Sequence, residues 1–92
     1  MVRFEWDEEK RLLNLKRHGI DFRDVPQVFD YDRFLLEDDR YEYGETRWIS
    51  FGLLFGGVVA VTHTETDEVI RIISVRKAEK REEKRYFKSI RD

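Results

Sequence analysis

The sequence predicts an α+β fold, and three observations carry that reading. Near the N-terminus lies one helix with matching start and stop signals. In the second half, three apolar runs of strand length are joined by short turns. The chain then ends in a stretch with no Gly or Pro and a helical charge pattern. Helices grouped around an antiparallel sheet define the class.

The elements follow in order. "VRFEW" (2–6) alternates and is aromatic, which suits a first strand. Asp7 is placed to cap a helix over 8–18, with Glu8 and Glu9 in its first turn. Lys16, Arg17 and His18 fill the last turn, and Gly19 takes the position after it. Leu12 and Leu15 share one face of this helix. Lys10, Asn14 and His18, four residues apart, form a polar row roughly opposite. That row is either a solvated stripe or one wall of a site.

"DFRDVPQVFD" (21–30) has Asp21 as a cap and Phe22, Val25, Val28 and Phe29 at helical spacing. Pro26 limits it to a short second helix and can delay its start. "FLLED" (34–38) reads as a strand and 39–45 as a polar loop. Runs 46–54, 58–64 and 69–75, with turns at Phe55-Gly56-Gly57 and Thr66-Asp67, form an antiparallel meander. A helix over 77–91 completes the chain. On it Lys77, Lys80, Arg81, Lys84, Arg85, Lys88 and Arg91 occupy one arc, while Ala78, Tyr86, Phe87 and Ile90 lie on the other side.

With 92 residues, the chain suits a single domain, 1–92. Aromatics at 14% argue against disorder, because they supply burial area quickly. There is no cysteine, hence no disulfide and no thiolate zinc site. No apolar run reaches a membrane span and the N-terminus lacks a signal-peptide core, so a soluble, cytoplasmic protein is expected. The net charge of -2 hides an asymmetry. Residues 30–45 carry seven acids against two arginines, and residues 71–92 carry nine bases against four acids. A cationic surface on a net-acidic chain points to an anionic partner, or to ordinary solvated helix charge.

Three constellations could carry chemistry. Strand alternation over "RIISVR" puts Arg71, Ile73 and Val75 on one face, and Ile72, Ser74 and Arg76 on the other. Arg76 is then a surface arginine or a fork for phosphate or carboxylate. Ala78, Glu82 and Tyr86 form a second row at four-residue spacing, facing the sheet. Glu82 there needs a cation, with Arg76 or Arg71 as candidates. The third is the opening row. Its His18 either partners the helix dipole or moves a proton, since imidazole both accepts and donates near neutral pH. His63, in a strand centre, reads as a packed residue. No metal-ligand spacing, phosphate loop or nucleophile elbow occurs.

Two blocks, "FEWDEEKRLLNLKRHGIDF" and "RIISVRKAEKREEKRY", with "VFDYD" between them, resemble the BrnT toxins of bacterial type II toxin–antitoxin systems. The match runs through Phe4, Glu5, Trp6, Asp7, Lys10, Asn14, His18, Gly19, Ile20, Phe22, Val28 and Phe29. It resumes at Arg71, Ile72, Ile73, Ser74, Arg76, Ala78, Glu82 and Tyr86. Arg17 stands where the family usually has Lys, and Val75 where it has Ala.

The resemblance implies a RelE-like α+β fold and an endoribonuclease that cuts RNA and blocks translation. It implies neutralisation by a ribbon-helix-helix BrnA-like antitoxin, in a heterotetramer that binds and represses its own operator. The chemistry expected is metal-independent and needs no cofactor. A base takes the ribose 2′-OH proton, the oxygen attacks phosphorus, and an acid protonates the leaving 5′-oxygen. Arg76, assisted by Arg71, would hold the phosphate, with His18 and Glu82 as acid and base in either order. Lys10, Asn14, Arg17, Ser74, Lys77, Arg81, Arg85 and Tyr86 would bind or position RNA. The alternative is a non-catalytic module that pairs with a DNA-binding antitoxin.

Overall fold

The computed structural model describes residues 2–91. Strand β1 (Arg3–Trp6) leads into helix α1 (Glu8–His18) and a 3-10 segment (Phe22–Asp30). Strands β2 (Phe34–Glu37), β3 (Trp48–Leu54), β4 (Gly57–Glu65) and β5 (Val69–Lys77) follow, and helix α2 (Lys80–Arg91) closes the chain. The five strands form one sheet in the order β1-β5-β4-β3-β2. The meander β3 to β5 is antiparallel as expected, and β2 adds to it antiparallel to β3. Beyond that expectation, β1 crosses over to pair in parallel with β5, so the sheet is mixed.

Capping accounts for the first helix. Asp7 accepts from the Lys10 N–H, and Gly19, at φ 71, ends the helix in a left-handed turn. The second segment begins at once after its Asp21 cap, not late. It winds as a 3-10 helix that contains Pro26, instead of the short α-helix expected. α2 begins at Lys80 because Lys77 still belongs to β5, paired with Val59. The Glu82 carboxylate takes the Glu79 N–H at 2.8 Å and so caps α2 from its third position.

The sheet is buried on both faces. On one, Phe22, Val25 and Val28 of the 3-10 segment pack on Leu54, Val59, Val61, Ile72 and Val75. That layer is tight: a Cβ on Gly52 would meet Val28 at 2.6 Å. On the other, Tyr86 of α2 packs with Phe51, Val58 and Ala60. No described helix is long and apolar enough to cross a membrane.

α1 does not join either layer through its leucines. Leu12 and Leu13 are each 53% exposed, whereas Arg11 and Asn14 are buried. The 3-10 segment already fills the sheet face, so α1 docks on the edge of β5 instead. Pairing with β1 ends at Ile72, leaving the later part of β5 without a strand on that side. Asn14 takes that place. Its Oδ1 accepts from the Val75 N–H at 3.0 Å, and its Nδ2 donates to the Val75 carbonyl at 2.9 Å and to Ile20 at 3.1 Å. A side-chain amide thus continues the ladder where β1 stops. Arg11 holds the same helix to Asp21 at 3.0 Å, with Glu8 as its second partner.

Candidate functional site

The polar row of α1 runs along β5, and its three members have different fates. Asn14, in the middle, is committed to Val75. It is therefore closed to substrate, contrary to the RNA-positioning place expected for it. Lys10 and His18, at the ends, open onto two separate depressions.

The larger is a groove of about 660 Å³ lined by Arg17, His18, Arg40, Arg76, Lys77 and Glu79. Four cations and an imidazole converge there from α1, the end of β5 and the loop after β2. The smaller, about 270 Å³, holds Lys10 and Arg71 beside Asp7, Tyr43, Glu45 and Arg47. Arg71 is paired there with Glu45, so it does not stand next to Arg76.

Strand register explains how these side chains face. Thr62 pairs with Ser74 but His63 pairs with Ile72, so Ile73 is an extra residue in β5. The bulge reverses the alternation beyond it. Ile72 and Val75 both point to the 3-10 layer. Arg71, Ser74 and Arg76 then share the opposite face, correcting the expected split of Arg71 from Ser74 and Arg76.

Arg76 is held by Glu82 through two parallel bonds of 2.8 and 3.0 Å. The guanidinium, first through its hydrogen bonds, keeps the Glu82 carboxyl below its ordinary range. Glu82 in turn raises Arg76. A carboxylate stabilised in this way is neither a donor at neutral pH nor a strong base. Its geometry makes it the residue that aims Arg76.

The remaining expected residues lie elsewhere. Tyr86 is buried, and its hydroxyl donates to the Asp32 carbonyl at 3.0 Å, so it is not open for base stacking. Arg81 and Arg85 border a different depression, with Phe34, Leu36 and Phe51. Arg85 lies over the Phe34 ring at 4.9 Å. Sequence reasoning missed Arg40, which enters the groove from the acidic loop. It is anchored by the nearly buried Asp38 carboxylate at 2.8 Å. Its one visible signal is that it is one of two bases among seven acids.

His63 occupies the opposite setting. It is fully buried, with its Nε2 at 2.7 Å from the Ser50 hydroxyl. Its Nδ1 faces two acceptors, the Thr64 carbonyl at 3.4 Å and Glu65 at 3.6 Å. The proton therefore belongs on Nδ1, and Ser50 donates to Nε2. Burial pushes the His63 pKa down, and neighbouring Arg33 adds to that, against Thr64 and Glu65. Among the described residues, no three of His, Cys, Asp and Glu are grouped to hold a metal ion.

Comparison with known proteins identifies the family. Residues 6–82 match the profile of the ribonuclease toxin BrnT of type II toxin–antitoxin systems. The chain belongs to the BrnT family. The matched span contains His18, Arg40, Arg71, Arg76 and Glu82, but stops before most of α2. The fold is also similar to the crystal structure of the Brucella abortus ribonuclease toxin BrnT. The TM-score is 0.68 at 26% identity, over 87% of this chain and all of that one. A comparison with curated protein sequences finds no match. Membership brings an antitoxin partner with it, since a type II toxin is one half of a pair.

Proposed function

We propose that this chain cuts single-stranded RNA in the groove between His18 and Arg76, by a step that uses no metal. The observation that carries the reading is the convergence itself. Two residues far apart in sequence, with Arg17, Arg40 and Lys77 around them, line one open groove. A polyanion is drawn to such a surface, and RNA is bound chiefly through its backbone.

The chemistry follows from the groups present. The His18 imidazole takes the proton of a ribose 2′-OH. The freed oxygen attacks the adjacent phosphorus, and the bond to the 5′-oxygen breaks. The leaving oxygen takes its proton from solvent in the open groove, giving a 2′,3′-cyclic phosphate and a 5′-hydroxyl. Arg76, held by Glu82 through Nη1 and Nη2, presents its Nε–H and remaining Nη2–H to the phosphate oxygens as charge builds on them. Arg17, Arg40 and Lys77 hold neighbouring phosphates. Arg71 and Lys10, in the second depression, extend the path of the strand rather than act at the cut.

In the cell this activity would inhibit translation. A ribbon-helix-helix antitoxin of the BrnA type would neutralise it, in a cytoplasmic heterotetramer that represses its own operator. The test is cleavage of a labelled RNA by purified protein in EDTA. Cutting is expected to continue there, and Arg76→Ala is expected to lower it by roughly 10²–10³-fold. Activity that vanishes with EDTA and returns with a divalent ion contradicts the metal-free step. Undiminished cutting by Arg76→Ala contradicts the phosphate clamp.

A further inference from the structure

The β3–β4 hairpin turns on Phe55 and Gly56, with φ of 50° and 82°. Leu54 and Gly57 close the loop as a strand pair. Both central residues are left-handed, as a two-residue hairpin of this kind requires. Glycine, asparagine or aspartate adopt that conformation readily, and a bulky aromatic does not. Phe55 nonetheless stands there 77% exposed, and it belongs to neither core cluster. Turn formation and packing both leave its ring unexplained.

Its position supplies a reason. The hairpin tip, the end of α1 and the end of β5 meet at one end of the sheet. Phe55 borders a depression of about 500 Å³ shared with Gly19, Ile20, Gly56, Lys77 and Ala78. Gly19 directly follows His18. Lys77 directly follows Arg76 and lines both this depression and the cationic groove. Lys77 thus forms a wall of both hollows. The hairpin tip therefore borders the hollow next to the groove that holds Arg76.

We propose that Phe55 is a stacking platform for the RNA base beside the phosphate held by Arg76. Unpaired bases splay from the backbone and stack on exposed aromatic rings, largely independently of sequence. The glycines around the tip leave backbone, with no side chains, where the sugar must approach. The ring is kept in a conformation that disfavours it because the base needs a fixed surface. This assignment rests on the ribonuclease reading of the adjoining groove.

The experiment uses Phe55→Asn, which suits the turn better, and Phe55→Trp, which keeps a stacking surface. Binding is measured with a labelled single-stranded 2′-O-methyl RNA, which cannot be cut, and cleavage with the corresponding RNA. Phe55→Asn is expected to melt no lower than the native chain, yet to bind and cut roughly tenfold or more less well, from the loss of one stacked base. Phe55→Trp is expected to retain both. Equal binding and cutting by Phe55→Asn overturns the platform while leaving the groove assignment intact. So does a variant that cuts normally but escapes its antitoxin, which makes the tip a protein contact. A native chain that neither binds nor cuts RNA overturns the platform together with the ribonuclease reading.

Discussion

The two histidines occupy opposite environments, one sealed within the fold and one at an open groove. His63 has the neighbours that chemistry often uses: a serine hydroxyl at 2.7 Å and a carboxylate at 3.6 Å. Yet it is sealed between Phe29 and the sheet, Ser50 is equally buried, and Arg33 already donates to that hydroxyl at 2.9 Å. No substrate reaches it. His18 ends an exposed helix and faces an open groove among arginines. The first cluster spends its hydrogen bonds on the fold, whereas in the second His18 stands exposed and Asp38 and Glu82 hold Arg40 and Arg76 at the rim of the groove. Partner identity alone would favour His63 over His18. Access and surrounding charge decide.

The sharpest way to break this contrast is to remove each buried anchor and look at stability. His63→Ala empties a packed site and strands the Ser50 hydroxyl. It is expected to destabilise by about 2–4 kcal/mol in a urea titration. A loss below about 0.5 kcal/mol would mean that the buried cluster is not structural. Asn14→Ala removes three hydrogen bonds to backbone, two of them on Val75. A loss of about 2–3 kcal/mol is expected, since Val75 would be left with unmatched buried groups. A cost near zero would show that α1 is held by other contacts.

Acid separates the regions next. The folded chain holds His63 neutral, because burial lowers its pKa. The unfolded chain therefore binds the proton first. Stability is expected to fall as pH drops through about 6.5, by up to about 1.4 kcal/mol per pH unit for one proton. His63→Gln should flatten the curve there, and an unchanged slope would assign it to other groups. Asp21 acts in a lower window. Its hydrogen bonds to Arg23, and then to Arg11, hold it at about 2, so its contribution persists until pH falls below the ordinary carboxylate range. The smallest effect is expected from Glu82→Gln. A partly exposed ion pair contributes up to about 1 kcal/mol, so melting should barely move. Cleavage should fall because Arg76 loses its aim, and normal kinetics would remove Glu82 from the site.

Much of this was legible from local signals. The caps Asp7, Asp21 and Gly19, the strand order of the meander and the inward row of Glu82 and Tyr86 all follow from spacing. The spacing of Lys10, Asn14 and His18 correctly put them on one row, but not what the row rests on. That depends on β1 ending beside Ile72, a non-local pairing with no trace in α1 itself. Leucines at helical spacing would ordinarily turn inward, and only the prior filling of the sheet face by Phe22, Val25 and Val28 keeps them out. The face of Arg71 was misread because a single extra residue, Ile73, inverts alternation without changing composition. Arg40 was hidden because charge counting over a segment averages away a lone base.

The proposed reaction requires His18, and not His63, to move the proton. The direct measurement is cleavage of a labelled single-stranded RNA by His18→Gln and His63→Gln, each also followed by thermal melting. His18→Gln is expected to melt near the native temperature and to lose roughly 10²–10⁴-fold in cleavage rate. His63→Gln is expected to melt lower but, where folded, to cut at nearly the native rate. A folded His18→Gln that cuts normally, or a folded His63→Gln that does not cut, contradicts this assignment.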